Sequence, residues 1–214
     1  MRKILNILFV SFLLAGGEAS AVSAAPKAVP APPKAEKTKP DAGKDTRRNA
    51  DPGQTRADLL DSLFARLHQA DDPATASVIA QSIRDILAKP DSPSAAVLLS
   101  QADRALKAGR IDVALDLLDL LTERYPEFAE GWYRRALARY LMEDRKGALA
   151  DLDRTLALEP RHYEAWMTKG SILQEMKRLR EALTAFEAAS TIYPALKSAQ
   201  DAVRELRFKL DQQI

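Results

Sequence analysis

The chain contains no cysteine, which removes disulfides, thiolate chemistry, iron–sulfur clusters and every cysteine-bearing zinc site in one step. Histidine is limited to His68 and His162, 94 positions apart, too little for a His-rich metal site or a compact His-based relay. Neither sign of charge prevails: 32 Lys plus Arg stand against 30 Asp plus Glu over 214 residues, a net of +2. That balance argues against a nucleic-acid binder, which carries a concentrated basic excess. No GxSxG elbow, phosphate-binding glycine loop or His-Glu-x-x-His pattern is present, so the familiar hydrolase, nucleotide and zinc signatures are missing. Only one sizeable apolar run exists, residues 4–15, and as a helix it would reach about 18 Å against a hydrocarbon core of about 30 Å.

That run follows Met1-Arg2-Lys3 and leads into Gly16, Gly17 and small residues up to Ala25. A basic start, a short apolar stretch and small residues read as a secretory signal peptide over residues 1–24. Two small-x-small sites compete, one cut before Ala25 and one before Val22. Without a cysteine at either cut no lipid anchor is expected. In a cell with two membranes the destination is the periplasm, and a disulfide-free exported protein must rely on packing for its stability.

Six of the twelve prolines fall between Pro26 and Pro52. Residues 25–53 hold one aliphatic residue larger than alanine, Val29, and no aromatic, so they offer almost nothing to bury and are expected to be a disordered linker rich in Pro, Lys and Ala. Their net charge is +3. A solvated spacer is the preferred reading, with docking of this tail on anionic cell wall or lipid as the alternative.

From residue 54 the composition shifts to Leu, Ala, Arg, Asp and Glu, and a 34-residue period appears. Trp132 and Trp166 keep that step, as do Ala114, Ala148 and Ala182, then Pro126, Pro160 and Pro194, then Leu118, Leu152 and Phe186, then Ala102, Ala136 and Gly170. In these columns the chain resembles the tetratricopeptide repeat family, whose unit is a helix-turn-helix with a large residue early in helix A, small residues where the helices cross and a closing proline. The best match is residues 163–196, with Trp166, Gly170, Ala182, Phe186 and Pro194; residues 129–162 depart from the pattern at Arg139 and Thr155. Residues 94–128 carry Leu98 in place of the tryptophan. The resemblance implies an all-α fold, a right-handed α-solenoid of about nine helices.

Three units need covers at both ends. Residues 54–93 show two apolar stripes, the first opened by Thr55 and Asp58 in a capping-box pattern and the second by Asp72-Pro73, and they are expected to form a degenerate fourth unit ahead of the first repeat. In residues 197–214 the stripe of Ala199, Val203, Leu206 and Leu210 suits a C-terminal capping helix, with a coiled-coil dimer seam as the rival and a monomer favoured.

The resemblance also implies a site, because the family's concave groove is lined by fixed positions of helix A. Carried over, they are Ala96, Leu99, Asp103, Leu106 and Lys107, then Glu130, Tyr133, Leu137, Tyr140 and Leu141, then Glu164, Met167, Ser171, Gln174 and Glu175. Tyr133, Leu137 and Tyr140 are read two ways, as partner-binding groove residues or as core. Leu99, Asp103 and Glu164 stand where one subgroup of the family places cations and amides around a C-terminal carboxylate, so that ligand is not expected. Asp112, Asp116, Asp119 and Glu123 share a helix face that reads as solvated, Asp151 and Asp153 point about 200° apart on a helix, and both histidines read as surface or boundary residues. No catalytic residue, metal site or cofactor is expected. The function expected is a non-enzymatic scaffold that binds a protein or peptide partner. The chain is also similar to small exported repeat proteins of alphaproteobacteria, which implies a role in cell-envelope integrity.

Overall fold

The computed structural model describes residues 55–212, so the expected signal segment and linker lie outside the described residues. Among the described residues there are nine helices and no strand: α1 (Arg56–Gln69), α2 (Pro73–Leu87), α3 (Pro93–Lys107), α4 (Ile111–Arg124), α5 (Ala129–Leu141), α6 (Arg145–Leu158), α7 (Tyr163–Glu175), α8 (Leu179–Ile192) and α9 (Lys197–Asp211). From α3 onward each helix packs on the next in chain order, as a solenoid requires.

The 34-residue period of the sequence is also a period of hydrogen bonds. Each A-to-B turn holds one residue in the left-handed region, Gly109 (φ 71°), Glu143 (φ 62°) and Lys177 (φ 63°), where glycine alone escapes a steric penalty. Each B-to-A turn is closed by a backbone bond, from Phe128, His162 and Leu196 N–H to the carbonyls of Tyr125, Glu159 and Tyr193. The indoles of Trp132 and Trp166 donate to the Pro126 and Pro160 carbonyls at 2.9 Å. Gln200, one further step along, donates its amide to Pro194 O at 2.6 Å. That bond puts α9 in register with the A-type helices of the repeats. Its apolar stripe is used within the chain: Ala199 and Leu206 are buried, and Leu196 and Val203 pack against the core of the third repeat.

Small residues sit where helices approach most closely. A Cβ added to Gly170 would meet the Phe186 ring of α8 at 2.8 Å; the preceding repeat solves the same crossing with Ala136 and Leu152, both fully buried. Arg139, off the family pattern, is explained by a polar layer between α5 and the helices α4 and α6. The Arg135 guanidinium forks onto Asp151 at 2.9 and 2.7 Å and also reaches Asp119, while Arg139 lies 3.1 Å from Asp151. Asp153 instead pairs with Lys169, so the two aspartates serve different partners.

The helices α1 and α2 correct the sequence expectation. Thr55 does form a capping box with Asp58, and Asp72 caps α2 ahead of Pro73. The pair does not stack upstream of the first repeat as a fourth unit, and its turn, residues 70–72, lacks the left-handed residue of the other three. Its apolar faces, including Leu63, Phe64, Leu67, Ile79 and Ile83, close instead on Tyr163 and Tyr193, with Ile192, Ala195 and Leu196 at the border. The pair therefore braces the edge formed by the B-to-A turns. Arg161 clasps α1 by bonding Asp61 at 2.6 Å and lying over the Phe64 ring at 4.5 Å, and the His68 ring bonds the Thr191 carbonyl at 2.9 Å.

The reason lies in α3. Along α5, α7 and α9 the face toward the preceding helix is small or apolar and buried: Gly131 and Ala138, Ala165 and Ile172, Ala199 and Leu206. In α3 the same two columns hold Val97, 54% exposed, and Arg104, also exposed. An arginine in that column already faces water, so the first repeat presents no apolar seat for another unit and acts as its own cap.

Candidate functional site: the concave face

The carried-over groove residues divide into two groups. Leu99, Glu130, Tyr133 and Met167 are at most 8% exposed and do not reach solvent in this arrangement. Leu99, Tyr133 and Met167 occupy one column, and all three are core in their repeats. Tyr133 is thus resolved as a packing residue, its ring tilted against His162 with centroids 4.6 Å apart. Asp103, Leu106, Leu137, Tyr140, Glu164, Ser171 and Gln174 remain partly open, and Ala96, Lys107 and Leu141 are exposed.

The open residues form a wall of apolar and acidic character. Leu137 and Tyr140 rest on the core between the second and third repeats, with one side of each left to solvent. The Tyr140 hydroxyl donates to Glu175, which also holds Arg145 at 3.1 Å. Half-burial and that carboxylate push the Tyr140 phenol up to about 12.

The face continues onto α9, which the sequence reading treated only as a cap. One 34-residue step beyond the third repeat, the lining positions are Ser198, Asp201, Glu205, Phe208 and Lys209, all exposed, with Phe208 64% open. The signal for this was present: Pro194 closes the third unit and Gln200 falls in the tryptophan column.

Beneath the face runs a buried polar chain. Asp103 lies 3.7 Å from Arg134, Arg134 donates to Glu130 at 2.7 Å, and Glu130 meets His162 Nε2 at 3.2 Å. His162, 2% exposed, caps α7 by accepting the Ala165 N–H on Nδ1. With Nδ1 acting as acceptor, Nε2 carries the hydrogen and donates to Glu130. The expectation of a surface or boundary histidine is therefore corrected: a ring that caps a helix and holds a buried carboxylate must lie inside. Burial would raise the Glu130 carboxyl, but Arg134 and the His162 hydrogen bond outweigh it and hold Glu130 below the usual range. Glu164 and Asp103 are shifted the other way, chiefly by burial and further by the charge of Glu130, against the pull of nearby cations.

At the rim of this face, the Arg84 guanidinium of α2 donates to the Tyr163 hydroxyl at 2.8 Å and lies 3.8 Å from Glu164. Among the described residues no group of three or more His, Asp or Glu side chains could hold a metal ion. The open part of the face offers shape, apolar contact and charge for recognition.

The tetratricopeptide repeat family profile matches residues 99–144 and 142–197. A TPR repeat-containing protein of Rhizobium etli is 38% identical over 153 residues, 71% of this chain and 74% of that protein. The chain belongs to the tetratricopeptide repeat family. Solved repeat structures share its fold. MamA from Desulfovibrio magneticus RS-1 superposes with a TM-score of 0.53 at 26% identity, over 58% of this chain and 70% of that one. The first TPR of Spaghetti (RPAP3), bound to the HSP90 peptide SRMEEVD, gives 0.54 at 23% identity, over 56% of this chain and 96% of that one. The portion matched by the family profile is the solenoid, while the pair α1–α2 precedes it.

Proposed function

We propose that this tetratricopeptide repeat protein is a non-enzymatic interaction scaffold of the bacterial periplasm, holding a segment of a protein partner on its concave face and contributing to cell-envelope assembly or integrity. The observation that carries the reading is the run of four A-type helices whose inward positions leave Leu106, Leu137, Tyr140, Leu141 and Phe208 at least partly open. Apolar anchors spread along a groove with charges between them suit a bound peptide segment. RPAP3, at 23% identity, is known in a peptide complex, which is consistent with this use of the fold. Export rests on the reading of residues 1–24, and the near absence of buriable residues in 25–53 supports a tether between that address and the repeats.

Leu141 and Phe208 are the residues to change, since both are exposed, at 36% and 64%, and neither belongs to a buried core cluster. Pull-down from an envelope extract with Leu141→Glu plus Phe208→Glu is expected to lose partners that the unaltered protein retains. Undiminished recovery of every partner by a variant with native circular dichroism would remove the groove from consideration. N-terminal sequencing of the protein from a periplasmic fraction tests the address: a start at Ala25 or Val22 is expected, and an intact Met1 in the cytoplasmic fraction alone refutes it.

A further inference from the structure

We propose that the concave face takes a partner segment bearing an arginine or lysine, and that this cation takes the place of Arg84 against Glu164 and Tyr163, loosening the N-terminal helical pair as it enters. The inference rests on the groove reading above and adds the chemistry of the ligand and a consequence of its binding.

The chain supplies its own template for the contact. Arg84 comes from outside the repeats and places a guanidinium between a phenol at 2.8 Å and a carboxylate at 3.8 Å, an arrangement that suits a planar cation. Glu164 is a lining position of the third repeat, with its side chain 27% exposed. Arg134 of the solenoid, which also acts on Glu164, is already held by Glu130 at 2.7 Å and Asp103 at 3.7 Å. Among the described residues, Glu164 forms an ion pair with Arg84 alone. With Arg84 withdrawn, Glu164 would lose its one ion pair among the described residues, beside an apolar wall.

Displacement is structurally accessible. Residues 88–92, which join α2 to α3, lie outside any helix. An open cavity of about 630 Å³, lined by Leu60 and Leu87 of the pair and by Tyr125 and Phe128 of the first B-to-A turn, separates the pair from that part of the edge. The pair's apolar packing is thus concentrated around Tyr163, Tyr193 and their neighbours Ile192, Ala195 and Leu196.

A lone cation cannot compete, because Arg84 is tethered and acts at an effective concentration of roughly millimolar. The ligand needs apolar anchors as well, and the geometry gives their spacing. Leu137 lies one A-type helix away, about 9 Å, and seven residues further along, about 10 Å, a diagonal of roughly 14 Å. An extended segment covers that in about four residues. The motif is therefore a basic residue followed or preceded at about four positions by an aliphatic or aromatic one.

The test is selection of a phage-displayed random dodecapeptide library on the protein, on Arg84→Ala and on Glu164→Gln, with native circular dichroism required of each. Lysine and arginine should be enriched in the pools from the unaltered protein and from Arg84→Ala, and lost from the Glu164→Gln pool. A synthetic peptide from the first pool should bind Arg84→Ala about tenfold more tightly, since the competing internal state is gone. It should also speed amide exchange in residues 56–87 of the unaltered protein. Pools without a basic signature, or the same signature with Glu164→Gln, overturn this inference and leave the groove standing. Basic peptides that bind without changing exchange in residues 56–87 refute the displacement. Enrichment of no peptide on any of the three proteins sinks the groove reading and this inference together.

Discussion

Gly170→Ala is a substitution for which local propensity and packing pull in opposite directions. In a helix interior alanine is favoured over glycine by about 1 kcal/mol. The added methyl, however, would stand 2.8 Å from Cε1 and Cζ of Phe186 and 2.9 Å from its Cδ1, well inside the optimum of about 3.5–4.0 Å. Phe186 is 2% exposed and sits in the main core cluster, so the ring has little room to retreat, and overpacking of this kind costs about 1–3 kcal/mol. The net expectation is destabilisation by about 1 kcal/mol. Phe186→Leu alone should also cost about 1 kcal/mol through lost volume. Together the two reproduce the Ala136–Leu152 crossing one repeat earlier, both residues of which are fully buried, and there the alanine should recover its propensity advantage. A double-mutant cycle by urea unfolding, read through tryptophan fluorescence with the m-value held constant, should therefore give a favourable coupling of about 2 kcal/mol. Additivity within about 0.5 kcal/mol, or a Gly170→Ala protein more stable than the original, would show that the glycine is not there to admit the ring.

Three further outcomes follow from the same geometry. His162→Ala removes the acceptor of the Ala165 N–H and the donor to Glu130 and should cost about 2–3 kcal/mol; an unchanged urea midpoint would contradict the buried chain. The folded value of Glu164 is raised, so between the ordinary unfolded value near 4.3 and that raised value the folded state binds more protons, and this group lowers stability as pH rises through the window. Glu164→Gln should then flatten the fall in stability as pH rises above the ordinary carboxyl value, and a slope identical to the unaltered protein's would contradict the burial of this carboxyl. Phe208→Ser, at a position 64% exposed, should leave thermal stability within about 0.5 kcal/mol while weakening partner capture; a larger loss would place the ring in the core.

The repeats were legible because their signals are local. Trp132, Trp166, the three closing prolines and the alanine columns each report a contact within one unit or between neighbours, and the 34-residue step survives into the hydrogen bonds. The two stripes of α1 and α2 were equally legible as helices, yet amphipathicity does not name the surface a helix covers. That information sat elsewhere, in Arg104, whose column is Ala138, Ile172 and Leu206 in the other A-type helices. The groove was half legible. Leu99, Tyr133 and Met167 lie one turn from Asp103, Leu137 and Ser171 on the same helices, and a carried-over lining cannot separate side chains that face solvent from those wedged between repeats. His162 was hidden for another reason: a histidine next to Arg161 looks exposed until the bond to Glu130, 32 residues away, is seen.

Edge and groove meet at the first two residues of α7. Tyr163 faces the helical pair and carries an edge-on contact with Tyr193 at 5.3 Å, while Glu164, a carried-over lining position, is partly open and pairs with Arg84. Adjacent residues at the start of one helix move together, so what covers the edge and what fills the groove are not independent. The strength of that linkage is bounded by the part of the pair's hold that a ligand replaces. A partly exposed ion pair is worth about 0–1 kcal/mol, to which the Arg84–Tyr163 hydrogen bond adds about 1 kcal/mol. The apolar seat around Tyr193, Ile192 and Leu196 is untouched by a ligand confined to the concave face. Loss of the Arg84 contacts should therefore raise the opening of α1 and α2 by between a few-fold and about thirtyfold rather than free them, since each 1.4 kcal/mol is a factor of ten. A change of that size is invisible to scattering but large for amide exchange, which is why exchange over residues 56–87 can separate a loosened brace from an inert one.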